Sequence, residues 1–275
     1  KYNAPLEEQI AGLIHDVSHS VFSHCIDYVI KTGDGKEQNH QDNFHDSFVK
    51  KTDIPKILKK YGYNLSYILN DKNFSLKEKA LPNLCADRID YILREGIIFK
   101  KISNTEAKNI LDNLTVRNNR WVFKNFKTAK KFAQLFYKLN RVYYSGLPTA
   151  IMFKTVGDCL KYALQKRYIT YNDLYTTDKI VLAKIKTYLN KDEKLKLFWQ
   201  SMNGKIKAKQ NRKNYDARIF CKSRIVDPLF LDKRKINPHT KLGVGIKRLS
   251  EAEPNWGKIV KQELKPKEYF LKFEK

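Results

Sequence analysis

The sequence predicts a mainly α-helical protein with a smaller α+β part at its carboxyl-terminal end. Apolar residues recur at helical spacing along most of the chain up to residue 200. From Asn203 onward the sequence becomes basic and then strand-like, and no internal repeat is visible. We therefore expect a helical body over residues 1–200 and a smaller basic α+β region over residues 201–275.

Helical segments account for the first part of the chain. An amphipathic helix is predicted from four apolar residues at helical spacing: Leu6, Ile10, Leu13 and Ile14. A polar, glycine-containing loop is predicted over Lys31–Asn43, after which helical periodicity resumes. A compact helix is predicted over Leu84–Gly96, with Gly96 placed to end it.

A β-hairpin is predicted where the segment LTVRNNRWVFKN alternates around Asn118 and Asn119, because asparagine tolerates the left-handed backbone of tight turns. Most of the segment 128–197 has amphipathic helical periodicity. The segment ARIFCKSRIVDPLFL is typical of a strand and is expected to end at Pro228. These elements complete a helical body followed by a small strand-containing part.

Composition limits the class of protein. With 275 residues, of which 42% are hydrophobic, the chain can bury a sizeable core. No apolar run approaches the length of about 20 residues that a membrane span needs, and we see no secretory leader. The four cysteines are scattered and form no CxxC pair, which argues against a disulfide framework or a structural zinc site. We expect a cytoplasmic protein without a membrane partner.

The chain is strongly basic, with 54 Lys and Arg against 29 Asp and Glu, and a formal net charge of +25. Such a charge favours polyanions such as nucleotides, nucleic acid or anionic lipid. Alternatively, the lysines reflect an AT-rich coding sequence, since they are spread along the chain beside many asparagines. The basic segment Lys205–Lys213 has no interleaved aromatic residues, so we interpret it as solvated or as contacting nucleotide phosphates.

Three of the six histidines fall between Ile10 and Asp27. If the first helix continues, His15 and His19 share one face, and Asp16 adds a carboxylate beside them. A lone histidine on a helix is usually a core residue, but a cluster is harder to explain in that way. Imidazole and carboxylate groups together suit a divalent metal ion such as Mn, Mg, Fe or Zn. The cluster comprises His15, Asp16, His19, His24 and Asp27.

The segment HDVSHSVFSHCID, together with the later ADRIDYILREG, resembles the HD-domain phosphohydrolases, specifically their deoxynucleoside triphosphate triphosphohydrolase branch. The helical segment after residue 139 and the segment KSRIVDPLF are similar to the same branch, so the resemblance covers most of the chain. It implies a helical HD-domain core, a bound divalent metal ion, and hydrolysis of dNTPs to deoxynucleoside and inorganic triphosphate.

The resemblance also implies roles for particular residues. His15 and Asp16 would ligate the metal ion together with Asp87. His19 would donate a proton to the leaving ester oxygen, with Asp27 orienting its ring. These five residues form the expected metal and catalytic set.

A second set is expected to bind the substrate: His24, His45, Arg88, Asp90, Tyr91 and Glu95. His24, His45 and Arg88 would contact the phosphates, while Asp90 and Tyr91 would share a helix face with Asp87. Glu95 stands where the resembled enzymes have an aspartate that helps to read the sugar. The alternatives are a surface ion-pair helix around Arg88 and an incidental surface role for His45. His40 and His239 are interpreted as surface residues.

The sequence departs from the family pattern in two places. The family has a metal-ligand histidine one helix upstream of the HD pair, whereas no histidine precedes His15 here. We expect the chain, which begins at Lys1, to lack that segment. The turn after the HD pair lacks the usual glycine and proline, with serine at positions 18 and 20 and Val21, so its backbone path is expected to differ.

Two other functions are consistent with the same residues. One is another nucleotide phosphohydrolase of this fold, such as a nucleotidase or a cyclic-nucleotide hydrolase. The other is a catalytically degenerate protein that binds nucleotides or nucleic acid. A homo-oligomer is expected from the resemblance, and nucleic acid and a nucleotide effector are the further partners considered.

Overall fold

The computed structural model describes residues 2–232 and 245–274, and the prediction for His239 lies outside these residues. The mainly α fold class with a small sheet part is confirmed. The helices are α1 (Leu6–Ile14), α2 (His40–Val49), α3 (Ile54–Lys60), α4 (Leu65–Leu69), α5 (Ala86–Ile98), α6 (Asn104–Asp112), α7 (Phe126–Leu139), α8 (Leu147–Gln165), α9 (Asp178–Lys186), α10 (Glu193–Ser201), α11 (Leu249–Ala252) and α12 (Pro254–Glu263). The strands are β1 (Leu114–Arg117), β2 (Arg120–Phe123), β3 (Ala208–Gln210), β4 (Ala217–Cys221), β5 (Leu229–Asp232), β6 (Gly245–Arg248) and β7 (Lys267–Phe273).

The chain forms two compact units. Unit 1 contains the described residues of Lys1–Ile14, Leu58–Arg141 and Ser223–Lys265. Unit 2 contains those of His15–Ile57, Val142–Lys222 and Pro266–Lys275. The division into domains at residue 200 stays a prediction.

Unit 1 contains a sheet with strand order β1-β2-β5-β6. The predicted hairpin is present, and Asn118 and Asn119 both have φ near 52°, as its tight turn requires. β2 pairs in parallel with β5, where Phe123 lies opposite Phe230, and both side chains are buried. Helix α7 packs against this sheet through buried residues that include Phe132.

Gly96 does not end its helix, so this part of the prediction is wrong. Helix α5 continues to Ile98, and Gly96 is buried within it. A Cβ atom at this position would lie only 3.1 Å from Ile102 Cγ1 and 3.3 Å from Leu135 Cδ2. The glycine therefore serves close packing rather than helix termination.

The single strand expected up to Pro228 is also wrong, because β4 and β5 are separate strands of different sheets. β4 ends at Cys221, and β5 begins directly after Pro228. Proline has no backbone N–H to donate, so it lies outside the ladder rather than within a strand.

Unit 2 contains a second sheet, with strand order β3-β7-β4 and both pairings antiparallel. Helix α8 packs against β4 and β7 and buries Ala150, Cys159 and Leu160. Within the described residues, no helix has both the length and the apolar character that crossing a bilayer requires. The packing of α8 leaves the other face of the sheet outside this core.

A buried carboxylate in unit 2 gives a pH-dependent prediction. Asp173 accepts hydrogen bonds from Lys184 Nζ (2.6 Å) and from the backbone N–H of Thr170 (2.8 Å), and these bonds hold the pKa of Asp173 below its ordinary value. A lowered folded-state pKa contributes stability above the unfolded pKa, and this contribution is lost as the pH falls through the folded pKa.

Asp173→Asn should therefore lower Tm near neutral pH, and the difference from wild type should shrink as the pH falls from about 7 towards 3. Circular dichroism melts across this range measure the effect. Asp53→Asn, at a highly exposed carboxylate, serves as the control. A Tm difference that does not change with pH would contradict the assignment.

Candidate metal centre

Helix α1 ends at Ile14, and residues 15–18 form a turn. The expectation that His15 and His19 share a helix face is therefore wrong. Aspartate and serine at positions 16, 18 and 20 compete with helix formation by bonding to nearby backbone groups. The turn is closed by the backbone N–H of His19, which donates to the carbonyl oxygen of Asp16 at 3.0 Å.

This turn places the Asp16 carboxylate between two imidazoles. Asp16 Oδ2 lies 3.3 Å from His15 Nε2, and Asp16 Oδ1 lies 3.3 Å from His19 Nε2. Loss of solvation raises the pKa of Asp16, but the hydrogen bond with His19 and the charges of His15, His19 and His24 outweigh it and lower the pKa below its ordinary value. Asp16 is thus ionised at neutral pH, which is the state that a metal ligand needs.

His19 has partners at both of its ring nitrogens. Nε2 faces Asp16, and Nδ1 lies 3.1 Å from the Ser23 hydroxyl. The His24 ring packs edge-on against the His19 ring, with 5.5 Å between the ring centroids. The orientation of His19 is therefore fixed from three sides.

Asp27 contacts His24 rather than His19. Residues Ser23–Tyr28 form a 3₁₀ helix, in which side chains three positions apart lie above one another. His24 Nδ1 accordingly lies 3.7 Å from Asp27 Oδ2. The buried Asp27 carboxylate also accepts a hydrogen bond from the backbone N–H of His40, at the start of α2.

The backbone where the 3₁₀ helix begins has an uncommon conformation. Phe22 and Ser23 have φ of 53° and 51°, a left-handed conformation that costs a non-glycine residue about 1–2 kcal/mol. Asp178 Oδ1 accepts from the N–H of Phe22, and the carbonyl oxygen of Leu174 accepts from the N–H of Val21, both at 2.8 Å. No sequence signal identified Asp178 and Leu174, which lie about 150 positions further along the chain.

Helix α2 brings two more histidines to this part of unit 2. His45 Nδ1 lies 3.1 Å from the Ser18 hydroxyl, within the turn that follows α1. His40 Nε2 lies 2.8 Å from the hydroxyl of Tyr175. The structure therefore brings together His15, Asp16, His19, His24, Asp27 and His45.

The remaining predicted residues lie on α5 in unit 1. Asp87 is in its first turn, where the helix dipole favours a carboxylate. Arg88 is 12% exposed and donates to Glu78 (2.8 Å), Cys85 Sγ (3.1 Å) and the carbonyl oxygen of Asn83 (3.2 Å). These bonds show that Arg88 holds the loop before α5, and its contact with a phosphate stays a prediction.

Asp87 also belongs to a group with Glu78 and Cys85, whose potential ligand atoms all lie within 4.8 Å of one another. Burial raises the pKa of Cys85 to about 12, so the thiol keeps its proton at neutral pH. Glu78 is already paired with Arg88. Cys85 Sγ also accepts a hydrogen bond from Arg88 at 3.1 Å, so two of these three residues already hold that guanidinium. Ligation by Asp87 together with His15 and Asp16 stays a prediction.

Asp90, Tyr91 and Glu95 have different surroundings. Asp90 is exposed, pairs with Arg94 at 3.0 Å and lines a cavity of about 220 Å³. Burial raises the pKa of Tyr91, whose ring lies 6.1 Å from that of Phe136. Loss of solvation likewise raises the pKa of Glu95. Tyr91 thus keeps its proton, burial makes the charged form of Glu95 less favourable, and Asp90 lies in an exposed ion pair.

Comparisons with known proteins give both sequence relatives and structural neighbours. No model of a known protein family matches the sequence. The chain is 33% identical over 238 residues to the uncharacterized protein YdhJ of Bacillus subtilis, covering 86% of this chain and 72% of YdhJ. It is 35% identical over 115 residues to the metal-dependent phosphohydrolase cns2 of Cordyceps militaris, covering 42% of this chain. That match spans only 32% of cns2.

Two crystal structures share the fold. A hypothetical protein from Aquifex aeolicus has a TM-score of 0.62 at 17% identity, over 97% of this chain and 76% of its own. A phosphohydrolase from Bacteroides thetaiotaomicron has a TM-score of 0.61 at 14% identity, over 99% and 81%. At these identities the two neighbours show a shared fold. Since it is 33% identical to YdhJ over 72% of that protein, the chain belongs to the same protein family as YdhJ.

Proposed function

We propose that this chain is a metal-dependent phosphohydrolase that hydrolyses dNTPs to deoxynucleoside and inorganic triphosphate. The observation that carries the proposal is the ionised Asp16 carboxylate held between the imidazoles of His15 and His19. The similarity to cns2 and the fold shared with a phosphohydrolase support the general activity. The choice of dNTPs rests on the sequence resemblance alone. Nucleotide binding, a cytoplasmic location and a homo-oligomer belong to the same proposal.

The donor set in unit 2 fits a divalent metal ion. An imidazole and an ionised carboxylate lie 3.3 Å apart, and such groups bind Mn, Fe, Zn or Mg. We assign His15 and Asp16 as ligands, with Asp87 as the third. The bound ion would polarise a phosphoryl oxygen and lower the pKa of water.

The proposed reaction breaks the bond between the α-phosphorus and the 5′ oxygen of the nucleotide, and that oxygen must gain a proton. We propose that His19 donates this proton. Its two ring nitrogens lie against Asp16 and Ser23. Because Asp27 lies against His24, we propose that it orients His24 towards the phosphates rather than acting through His19. His45, which contacts Ser18, would bind a phosphate as well.

Helix α5 would supply the remaining substrate contacts. Tyr91 keeps its phenol proton and can donate a hydrogen bond to a sugar hydroxyl, whereas the Glu95 carboxyl can accept one. We assign them to sugar recognition, with Asp90 beside them on the helix. Arg88 would contribute positive charge to the phosphates from its position among the acceptors of the preceding loop.

A substrate panel tests the proposed function. The full-length protein, including whatever precedes Lys1, is incubated with dNTPs, NTPs, deoxynucleoside monophosphates and cyclic nucleotides, in Mn or Mg, and the products are followed by anion-exchange chromatography and ³¹P NMR. We expect inorganic triphosphate from at least one dNTP. Turnover of monophosphates or cyclic nucleotides alone would favour a nucleotidase or a cyclic-nucleotide hydrolase. If every substrate stays intact in both metals, the enzyme proposal fails.

A further inference from the structure

The three-stranded sheet of unit 2 has one buried and one outer face. In β4 the side chains alternate, with Ala217, Ile219 and Cys221 buried in the core of the unit. Directly opposed residues of antiparallel strands point to the same side. The register therefore places six side chains on the other side, which we call the outer face: Lys209, Arg218, Phe220, Glu268, Phe270 and Lys272.

Aromatic rings and cations lie together on this outer face. The Arg218 guanidinium lies 5.0 Å from the centre of the Phe220 ring and 5.7 Å from that of Phe270. Arg212 lies 5.2 Å from the Phe270 ring, and Lys36 Nζ lies 4.5 Å from the Phe220 ring. These are cation–π distances, so cations lie against both phenylalanine rings on this face.

The sheet therefore supplies what the basic segment Lys205–Lys213 lacks in its own sequence. Its aromatic neighbours are Phe270 on β7, against which Arg212 lies, and Tyr215, which packs edge-on against Phe270 at 5.0 Å. Tyr215 is 45% exposed, whereas Phe220 and Phe270 are half-buried. Strand pairing thus joins aromatic and basic residues that lie up to about 60 positions apart in the sequence.

Charge on this surface favours a polyanion. Five cations lie on the outer face or against its rings: Lys36, Lys209, Arg212, Arg218 and Lys272. Two of these cations are paired with acids, Arg218 with Glu268 and Lys272 with Asp216, so the seven named side chains together carry a net charge of +3. Lys209 and Arg212 are both exposed, so they can reach a ligand from solvent.

We propose that the outer face binds single-stranded nucleic acid, with phosphates on the lysines and arginines and bases stacked on the aromatic rings and guanidinium planes. Single strands are favoured over duplexes because a base must be unstacked before it can lie on a protein ring. An anionic membrane would use the charges but would not need the planar rings. This site is separate from the proposed phosphohydrolase activity and does not rest on it.

Fluorescence anisotropy with a labelled oligothymidylate, an oligouridylate and a duplex of equal length tests the proposal on the 275-residue chain. The double variant Phe220→Leu/Phe270→Leu keeps apolar volume but removes both ring faces. Stacking on aromatic side chains is worth a factor of about 5 to 160 in affinity per base. We expect a loss of that size for the single strands and little change for the duplex.

The charge variant Lys209→Gln/Arg212→Gln should reduce the slope of log affinity against log salt by about 1.4, because each phosphate contact to a single strand contributes about 0.7. Lys101→Gln/Lys108→Gln removes two exposed lysines from unit 1 and is the matched control. If the leucine variant loses its near-UV circular dichroism signal, the charge variant still decides the outcome.

Three results would overturn the proposal. The first is equal affinity for single strands and duplex, unaffected by the leucine substitutions in a folded variant. The second is an equal loss of affinity in Lys209→Gln/Arg212→Gln and in the control Lys101→Gln/Lys108→Gln, which would indicate general polycation behaviour. The third is binding to vesicles of phosphatidylcholine and phosphatidylserine without binding to either oligonucleotide.

Discussion

Asp16→Asn should abolish phosphohydrolase turnover and weaken metal binding by at least about 100-fold, because even the outer partners of metal ligands are worth 10–100-fold. The carboxylate lies 3.3 Å from imidazole nitrogens of both His15 and His19. Asparagine keeps the size of the side chain but removes its charge, so it is a much weaker ligand. Calorimetric titration with Mn and turnover followed by ³¹P NMR measure the two effects.

The control for this prediction is Asp53→Asn, which removes one carboxylate of unit 2 whose side chain is 83% exposed. This variant should keep wild-type metal affinity and turnover. Both side chains are more than half exposed, so neither substitution is expected to unfold the chain. Stoichiometric metal in Asp16→Asn would show that the ligand set has been misassigned.

His19→Gln should lower kcat by about 10²–10⁴-fold, the usual contribution of a general acid, while metal binding is retained. Glutamine can still hydrogen-bond to Asp16 or Ser23, but it cannot donate a proton to a leaving oxygen. Steady-state kinetics separates kcat from KM, and calorimetric titration gives the metal affinity.

His40→Gln is the matched control for His19→Gln. The His40 imidazole lies against Tyr175, and His40 contacts Asp27 only through its backbone N–H. Turnover in this variant should stay close to wild type. If His19→Gln loses its metal, His19 is a ligand rather than a proton donor, and the proposed roles of His15 and His19 would have to be exchanged.

Features set by neighbouring residues could be predicted from the sequence. The hairpin at Asn118 and Asn119 follows from local turn chemistry, and α1 follows from its apolar spacing. Features that depend on distant packing could not be predicted. Gly96 lies inside α5, where Ile102 and Leu135 pack closely against it, and the sequence of the helix itself carries no sign of that contact.

The candidate site shows the same limit. The residue types of the histidine segment predicted a metal site. The predicted contacts between these side chains assumed that the first helix continues past His15, whereas it ends at Ile14. Because the backbone here forms a turn and then a 3₁₀ helix, Asp16 contacts His19 and Asp27 contacts His24. The aromatic ring beside Lys205–Lys213 could not be predicted for a related reason, because only strand pairing brings β3 next to β7, which carries Phe270.

The left-handed pair Phe22 and Ser23 makes the histidine segment depend on a remote part of the chain. Its conformation is disfavoured locally and is held by the Asp178 carboxylate, which accepts from the N–H of Phe22, and by the carbonyl oxygen of Leu174, which accepts from the N–H of the preceding Val21. Transplanted into another helical scaffold, the segment His15–Asp27 would keep its side chains but not their arrangement. The arrangement of this site is therefore encoded in two distant segments of the sequence. A substitution in one segment must be matched by a compatible substitution in the other if the spacing of the histidines is to be preserved.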